Sequence, residues 1–156
     1  MPRGSVVSAQ SPPTRFPDFA LADQFGRDID DQTYSGAPLI VVVGNRDGAR
    51  GVALWTASLR AAIGEVSDTR VLPVADLKGV PRMLRKLVGR LLPRDPAHWC
   101  ALDWDGQLGA PIRQGRAALV AAAFGANRQL RVWTALPPET VESATMATLV
   151  AQAESS

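Results

Sequence analysis

The residues that could do chemistry lie first of all in a short polar turn over residues 44–51. The surrounding segment VVVGNRDGARGVALW, residues 41–55, has the pattern of a buried strand, a turn and a helix. Several enzyme classes keep a reactive side chain at such a position. This turn contains glycines, one acid and two arginines, and it holds no Cys, Ser, His or Lys. It is therefore either a site of a different chemistry or a scaffold without a nucleophile.

Two binding interpretations of the turn are open. Asp47, at or near the N-cap of the helix that begins near Gly48, could place its carboxylate on the free N–H groups there, or be an ordinary cap worth about 1 kcal/mol. Arg46 and Arg50 could bind a small anion or phosphate together with the helix N–H groups, or be solvated loop charges. The glycine spacing fits neither a P-loop nor a dinucleotide fingerprint.

The single cysteine and the single histidine lie close together in the sequence. Cys100, between Trp99 and Ala101 in a predicted strand, is typical of a small buried hydrophobe, and a reactive thiol is the alternative. One cysteine cannot form an intrachain disulfide, and it excludes a metal site built from several thiolates. His98 has no second histidine to share a metal. We therefore expect no cofactor and no metal.

The most asymmetric charge distribution lies in KGVPRMLRKLVGRLLPR, residues 78–94, which contains basic residues and no acid. On a helix predicted over residues 80–92, one face opposite the leucines carries Arg82, Arg85, Lys86 and Arg90. We expect the apolar stripe to be buried against a sheet and the basic face to lie in water. Docking to an acidic protein partner or to an anionic membrane surface is the alternative.

Apolar periodicity predicts the elements that position these residues. An N-terminal hairpin turns at Gln24, Phe25 and Gly26, and the acids Asp28, Asp30 and Asp31 beside it are expected to form a solvated edge. The other predicted elements are a doubly buried strand LIVVVG, a helix from Gly48 to Gly64, a strand over 70–76, the helix over 80–92, a strand within 98–109, a hairpin over 117–133, and a last helix that starts after Pro138 with Glu139 in its first turn. The strand–helix–strand order implies a right-handed parallel crossover.

Length and charge limit the function further. The 156 residues suit one domain, over residues 16–153, after an N-terminal tail over residues 1–15 that is expected to be disordered. The net charge of +2 is too small to require nucleic acid as a partner. No apolar stretch approaches the roughly 20 residues that span a bilayer, and the first fifteen residues lack the apolar core of a signal peptide. A cytoplasmic location is therefore expected.

Four segments resemble the redoxin-type domains of the peroxiredoxin and thioredoxin-like superfamily. They are FPDFALADQFGRDI, SGAPLIVVVG, GRAALVAAAFGANRQLRVW and PPETVESATMATLVAQA, and the likeness covers roughly residues 16–152. The resemblance implies a thioredoxin-like three-layer α/β/α fold, with a central mixed sheet and an N-terminal β-hairpin extension. It also matches Arg116 to the arginine of the peroxiredoxin catalytic set, which would add Arg116 to Arg46, Asp47, Gly48 and Arg50 as candidate anion-binding residues.

The sequence departs from that family at the reactive position. Where a peroxiredoxin carries its peroxide-reducing cysteine, this chain has Gly51 or Val52, and a thioredoxin-type Cys-x-x-Cys pair would fall near Gly48 and Gly51. Thiol chemistry at this turn is therefore excluded. We expect a binding or interaction module for an unknown protein partner or a small anion, with a possible anion-recognition turn over residues 45–51.

Two enzymatic alternatives stay open at this point. One is a thiol-dependent peroxidase or oxidoreductase that uses Cys100. The other is a non-redox enzyme that uses Asp47, Arg50 and Arg116 on a small anionic substrate. Convergence of those three side chains in one closed pocket would favour the second alternative.

Overall fold

A computed structural model describes residues 13–65 and 67–155 of the chain. Its strands are β1 Ala20–Asp23, β2 Asp28–Asp30, β3 Leu39–Gly44, β4 Arg70–Asp76, β5 Ala101–Asp103, β6 Leu119–Phe124 and β7 Leu130–Ala135, and its helices are α1 Ala49–Ile63, α2 Arg85–Leu91 and α3 Ser143–Glu154. These strands form one mixed sheet in the order β2-β1-β5-β4-β3-β6-β7. The predicted mixed sheet with an N-terminal hairpin at one edge is confirmed.

Strand β3 is buried over its whole length, as its unbroken aliphatic run predicts. It pairs with β4 in parallel and with β6 antiparallel, so that Val41 lies between Leu72 and Ala122. Its side chains alternate between two cores: Val41 and Val43 point into one, while Ile40 and Val42 point into the other.

Helices α1 and α3 cover the second of these cores. Trp55 and Leu59 of α1 are fully buried there. Helix α1 follows Gly48 and ends at Gly64, whose positive φ of 71° closes the helix as predicted.

The start predicted for the last helix is wrong. Helix α3 begins at Ser143 with Glu142 as its N-cap, so Glu139 lies before it. The Trp55 Nε1–H donates to the carbonyl of Pro137 at 2.9 Å, and the Leu136 N–H donates to Leu119. These bonds attach the segment before α3 to α1 and β6, so the helix begins only at Ser143.

The other core lies beneath the N-terminal segment. Phe16 and Phe19 pack edge to face with ring centroids 5.6 Å apart, and Phe16 also contacts Phe124. The Phe16 N–H donates to the carbonyl of Arg128, and Leu130 donates to that of Thr14. Residues 1–12 of the predicted tail lie outside the described residues, whereas its end is bound to the sheet.

The burial predicted for the basic helix is wrong. The segment forms a 3₁₀ turn, Arg82–Leu84, followed by α2, and neither contains a buried residue. Leu87 is 52% exposed and Leu91 is 76% exposed. The sheet face on which α2 would pack is already covered by Phe16 and Phe19 from the N-terminal segment and by the segment 108–112.

No helix among residues 13–65 and 67–155 is long and apolar enough to cross a membrane.

Asp31 is not part of a solvated edge. Its carboxylate lies 3.5 Å from the Arg128 guanidinium, and it accepts a hydrogen bond from the Phe19 N–H at 3.2 Å. Burial raises the pKa of this carboxyl, but its backbone hydrogen bonds and the charge of Arg128 outweigh burial and lower the pKa below 3.8. Because the folded-state pKa is the lower one, the stabilisation is present above the unfolded-state pKa and is lost as the pH falls.

We predict that Asp31→Asn lowers the free energy of unfolding by about 1 kcal/mol at neutral pH. The difference from the unaltered protein should shrink as the pH falls below 3.8 and through the lower folded-state pKa, because Asp31 is protonated in both states only below that folded-state pKa. Urea titrations at several pH values, followed by tryptophan fluorescence, measure it. Asp28→Asn, at an exposed position of β2, is the matched control. A difference that does not change with pH would contradict the assignment.

Candidate functional site

The turn after β3 is closed by the side chain of Asn45. The Asn45 side-chain oxygen accepts from the Asp47 N–H at 2.9 Å and from the Gly48 N–H at 3.1 Å. These bonds form the 3₁₀ turn Arg46–Gly48, which leads directly into α1. The capping oxygen was predicted at Asp47, and this prediction is wrong, because Asn45 caps the turn and the N-cap of α1 is Gly48, where no side-chain hydrogen bond is made. The Asp47 residue itself is exposed.

The glycines of this turn are required by close packing against β6. A Cβ atom on Gly48 would overlap the carbonyl oxygen of Ala118. A Cβ on Gly51 would overlap the Leu119 side chain and would lie 2.9 Å from the Cα of Pro138. Real Cβ atoms do not approach backbone so closely. Gly48 therefore serves the packing of α1 on the sheet, although it was predicted as a candidate ligand-binding residue.

The same two positions are the ones that align with a Cys-x-x-Cys pair. Because Gly48 and Gly51 have no room for a Cβ, neither position accepts a cysteine side chain without a shift of the backbone of β6 or of the loop before α3. The turn thus has neither the sulfur atoms nor the space for them.

A cleft of about 1090 Å³ opens beside this turn. Its walls are residues 45–47, the segment 76–81 after β4, the segment 109–115, and the side chains of Leu84 and Val88. The cleft thus lies at the carboxyl ends of the parallel strands β3 and β4. In open α/β sheets this edge is where ligands bind.

A buried ion pair forms the floor of the cleft. The Arg113 Nε–H donates to the Asp76 carboxylate at 2.9 Å, with only 16% and 8% of the two side chains exposed. Arg113 also donates to the carbonyl of Ala117 at 2.8 Å. Gly109 allows the close approach of Asp76, because a Cβ there would lie 2.5 Å from the carboxyl carbon. Asp76 and Arg113 are therefore held in place by the protein itself.

The structure brings together only part of the predicted anion site. Arg46 and Asp47 line the cleft. Arg50 is exposed on α1 and is not among the lining residues. Arg116 stacks on the Trp133 ring at 4.8 Å and is likewise outside the lining. The convergence of Asp47, Arg50 and Arg116 that an enzyme would need is not observed.

Arg113 is one of the cleft residues that the sequence prediction missed. The resemblance selected Arg116, three residues further along the chain. One signal was available: Asp76 ends a predicted buried strand, and a buried carboxylate needs a cationic partner. That signal indicates an arginine partner for Asp76, but it does not distinguish Arg113 from Arg116.

The basic residues predicted as a partner surface are placed differently from one another. Arg82, Lys86 and Arg90 are exposed. Arg85 instead stacks on the Trp104 ring at 5.2 Å and lies 3.6 Å from the Asp105 carboxylate. Arg85 therefore attaches the helix to the domain, and the other three face solvent.

Cys100 lies just before β5, two strands away from β3, and is half-buried. Its N–H donates to the Gln24 side chain at 2.9 Å. Burial, together with the negative charge of Asp23, raises the pKa of the thiol to about 11. Since the thiolate is the nucleophile, this environment disfavours the peroxidase alternative. Among the described residues no group of three or more His, Cys, Asp or Glu side chains could hold a metal ion, and His98 is exposed.

No protein-family model and no curated protein sequence matches the chain. Solved structures do match it. The pneumococcal exposed lipoprotein thioredoxin (Etrx1) from Streptococcus pneumoniae superposes with a TM-score of 0.66 at 16% identity, over 86% of this chain and 98% of that one. The chain has the thioredoxin-like fold. Similar matches are MTB dsbF, with a TM-score of 0.63 at 12% identity over 91% and 99% of the two chains, and a secreted Mycobacterium tuberculosis disulfide oxidoreductase, with 0.57 at 14% over 85% and 94%.

These matches confirm the predicted thioredoxin-like fold class. One of the similar proteins is described as a disulfide oxidoreductase, and the structure of another shows its mixed oxidized and reduced forms. A reversible intrachain disulfide needs two cysteines. This thioredoxin-like domain has one, which lies outside the turn.

We predict that Gly51→Ala lowers the free energy of unfolding by about 1–3 kcal/mol, because the added methyl group overlaps Leu119 and Pro138. Gly51→Cys should destabilise at least as much. Gly89→Ala in α2 is the control: nothing lies within 4 Å of a Cβ there, so the variant should be neutral or slightly more stable. Denaturant unfolding measures all three variants. Equal stability of Gly51→Ala and the unaltered protein would show that the turn is not closed by packing.

Cys100 is predicted to react slowly with iodoacetamide at neutral pH. A pKa of about 11, against the ordinary 9.0, leaves about a hundredfold less thiolate at neutral pH. The alkylation rate should therefore continue to rise as the pH increases from 9 towards 11. Protein unfolded in guanidinium chloride provides the control rate, and mass spectrometry measures both. Alkylation of the folded protein as fast as that of the unfolded chain would refute the assigned environment.

Proposed function

We propose that this thioredoxin-like domain is a ligand-binding module without thiol redox activity. In this proposal the cleft beside residues 45–47 accepts a small organic anion, such as a carboxylate or a phosphate ester joined to an apolar group. The observation that carries the proposal is the composition of the cleft walls. One part of the lining is basic and another part is apolar, and the cleft stands at the sheet edge that favours ligand binding.

The basic wall supports recognition of an anionic group. Three basic side chains, Arg46, Lys78 and Arg113, line the cleft together with two acidic ones, Asp47 and Asp76, which leaves one net positive charge. Arg113 is already neutralised by Asp76. Arg46 and Lys78 are exposed and lie on two different segments of the lining, the β3 turn and the segment after β4. A carboxylate or phosphate between them would gain charge-assisted hydrogen bonds.

The apolar wall supports a ligand with a hydrophobic part. It consists of Val80, Pro81, Leu84 and Val88, which follow β4 and continue into α2. An inorganic anion would leave this wall in contact with water. A ligand that covers it gains about 25 cal/mol for each Å² of apolar surface removed from water. An amphipathic anion therefore fits the cleft better than phosphate or sulfate.

Binding is favoured over catalysis by the residue types at the site. Among the described residues that line the cleft there is no serine, threonine, cysteine or histidine. Asp76 and Arg113 are engaged with each other. The proposal therefore rests on recognition, and the alternative of an enzyme acting on a small anion has no convergent set of side chains to support it.

The proposal is tested by thermal unfolding with a graded series of anions. Octanoate and phenyl phosphate should raise the melting temperature, while acetate and inorganic phosphate should raise it less at equal concentration, because stabilisation follows the occupancy of the folded state. Lys78→Gln and Arg46→Gln should each weaken octanoate binding by about tenfold, as expected for loss of one charge-assisted hydrogen bond. Isothermal titration calorimetry measures the affinities.

Arg50→Gln is the matched control, because Arg50 is exposed nearby and does not line the cleft. It should leave octanoate binding unchanged. The proposal fails if none of the anions stabilises the protein. It also fails if Arg50→Gln weakens binding as much as Lys78→Gln, since the anions would then be responding to general positive charge.

A further inference from the structure

The exposed apolar side chains of this protein are concentrated in one short segment. Among the described residues five large hydrophobic side chains are exposed, and four of them lie within ten residues of one another: Met83 at 87%, Leu84 at 42%, Leu87 at 52% and Leu91 at 76%. The fifth is Leu54 on α1, at 41%. An exposed apolar cluster at this density marks an interaction surface.

The spacing separates these side chains into two stripes. The 3₁₀ turn Arg82–Leu84 runs directly into α2, so residues 82–91 form one helical segment. Leu84 and Val88, four residues apart, line the cleft. Met83, Leu87 and Leu91 repeat with the same four-residue spacing and lie on the neighbouring side of the helix. We call these three side chains the outward apolar stripe.

A basic stripe lies next to the outward apolar stripe. Arg82, Lys86 and Arg90 each precede one member of the apolar stripe, so they form a parallel row on its solvent side. Residues 78–94 contain no acid that could neutralise this row. Arg85, on the far side of the helix, contacts Trp104 and Asp105 and holds the segment on the domain.

We propose that this face of residues 82–91 docks the domain on the surface of an anionic phospholipid bilayer. The side chains of Met83, Leu87 and Leu91 enter the boundary between headgroups and acyl chains. The basic row lies at the level of the lipid phosphates, where each cation is attracted by the negative surface potential. The helix lies in the plane of the bilayer surface and does not cross it.

Charge and shape favour a membrane over two other occupants. A second copy of the same face would oppose two rows of like charge, which repel each other. A protein partner would need both a groove that fits the apolar stripe and acidic side chains that face the basic row. A bilayer requires no complementary pocket, and it provides both the phosphates and the apolar layer that this face matches.

Co-sedimentation of the full chain with vesicles tests the proposal. Phosphatidylcholine vesicles that contain phosphatidylglycerol should bind the protein at low salt, vesicles of phosphatidylcholine alone should bind it much less, and added salt should weaken the binding. Replacing the apolar stripe (Met83→Ser, Leu87→Ser, Leu91→Ser) should reduce binding by at least about tenfold. Lys86→Glu with Arg90→Glu should reduce binding to a similar extent and abolish its salt dependence.

Leu54→Ser is the matched control, because Leu54 is an exposed apolar residue outside the face. It should bind vesicles as the unaltered protein does. All altered side chains are exposed, so the variants should keep the melting temperature and the octanoate response of the cleft. That result separates this proposal from the proposed function.

The absence of binding to the anionic vesicles at low salt overturns the proposal. So does equal loss of binding in Leu54→Ser, or full binding by the apolar-stripe variant. If the protein binds no vesicles but captures an acidic protein, the partner of this face is a protein and the membrane proposal is overturned.

Discussion

The structure depends most on the close contact between the first turn of α1 and the beginning of β6. Gly48 and Gly51 let the helix backbone touch Ala118 and Leu119 directly, and the Asn45 N–H donates to the Ala118 carbonyl at 3.0 Å. This contact fixes α1 on the sheet. It also sets where the turn over residues 45–47 projects, and therefore where one wall of the cleft stands.

The same contact leaves no room for a cysteine side chain at Gly48 or Gly51. A thiolate at a helix N-terminus is stabilised by free N–H groups and needs space for a side chain. Here the Asn45 side chain occupies the N–H groups of Asp47 and Gly48, and β6 fills the space. A single substitution to cysteine would supply neither condition. In this thioredoxin-like fold, Gly48 and Gly51 are part of the packed contact between α1 and β6.

The features that were predicted correctly from the sequence are those set by short-range residue patterns. The aliphatic run of β3 and the glycines at both ends of α1 depend on neighbouring residues, and the structure agrees with them. The exposure of α2 could not be predicted, because periodicity shows that a helix has an apolar face but not whether the facing sheet is already covered. Arg113 was missed for a similar reason: its partner Asp76 is 37 residues away, and only the fold brings them together.

The unexpected position of α2 connects the two surfaces of the molecule. Because Phe16, Phe19 and the segment 108–112 already fill the sheet face, α2 cannot pack there, and the space between it and the sheet edge becomes the cleft. One stripe of the segment forms the apolar wall of that cleft, and the adjacent stripe faces solvent. Any contact that moves α2 therefore moves a wall of the cleft, since Leu84 and Val88 belong to the same short segment as Leu87 and Leu91. A helix held mainly by Arg85 against Trp104 and Asp105 has few contacts to resist such a movement. The volume of the cleft and the position of the outward apolar stripe thus depend on one weakly held element.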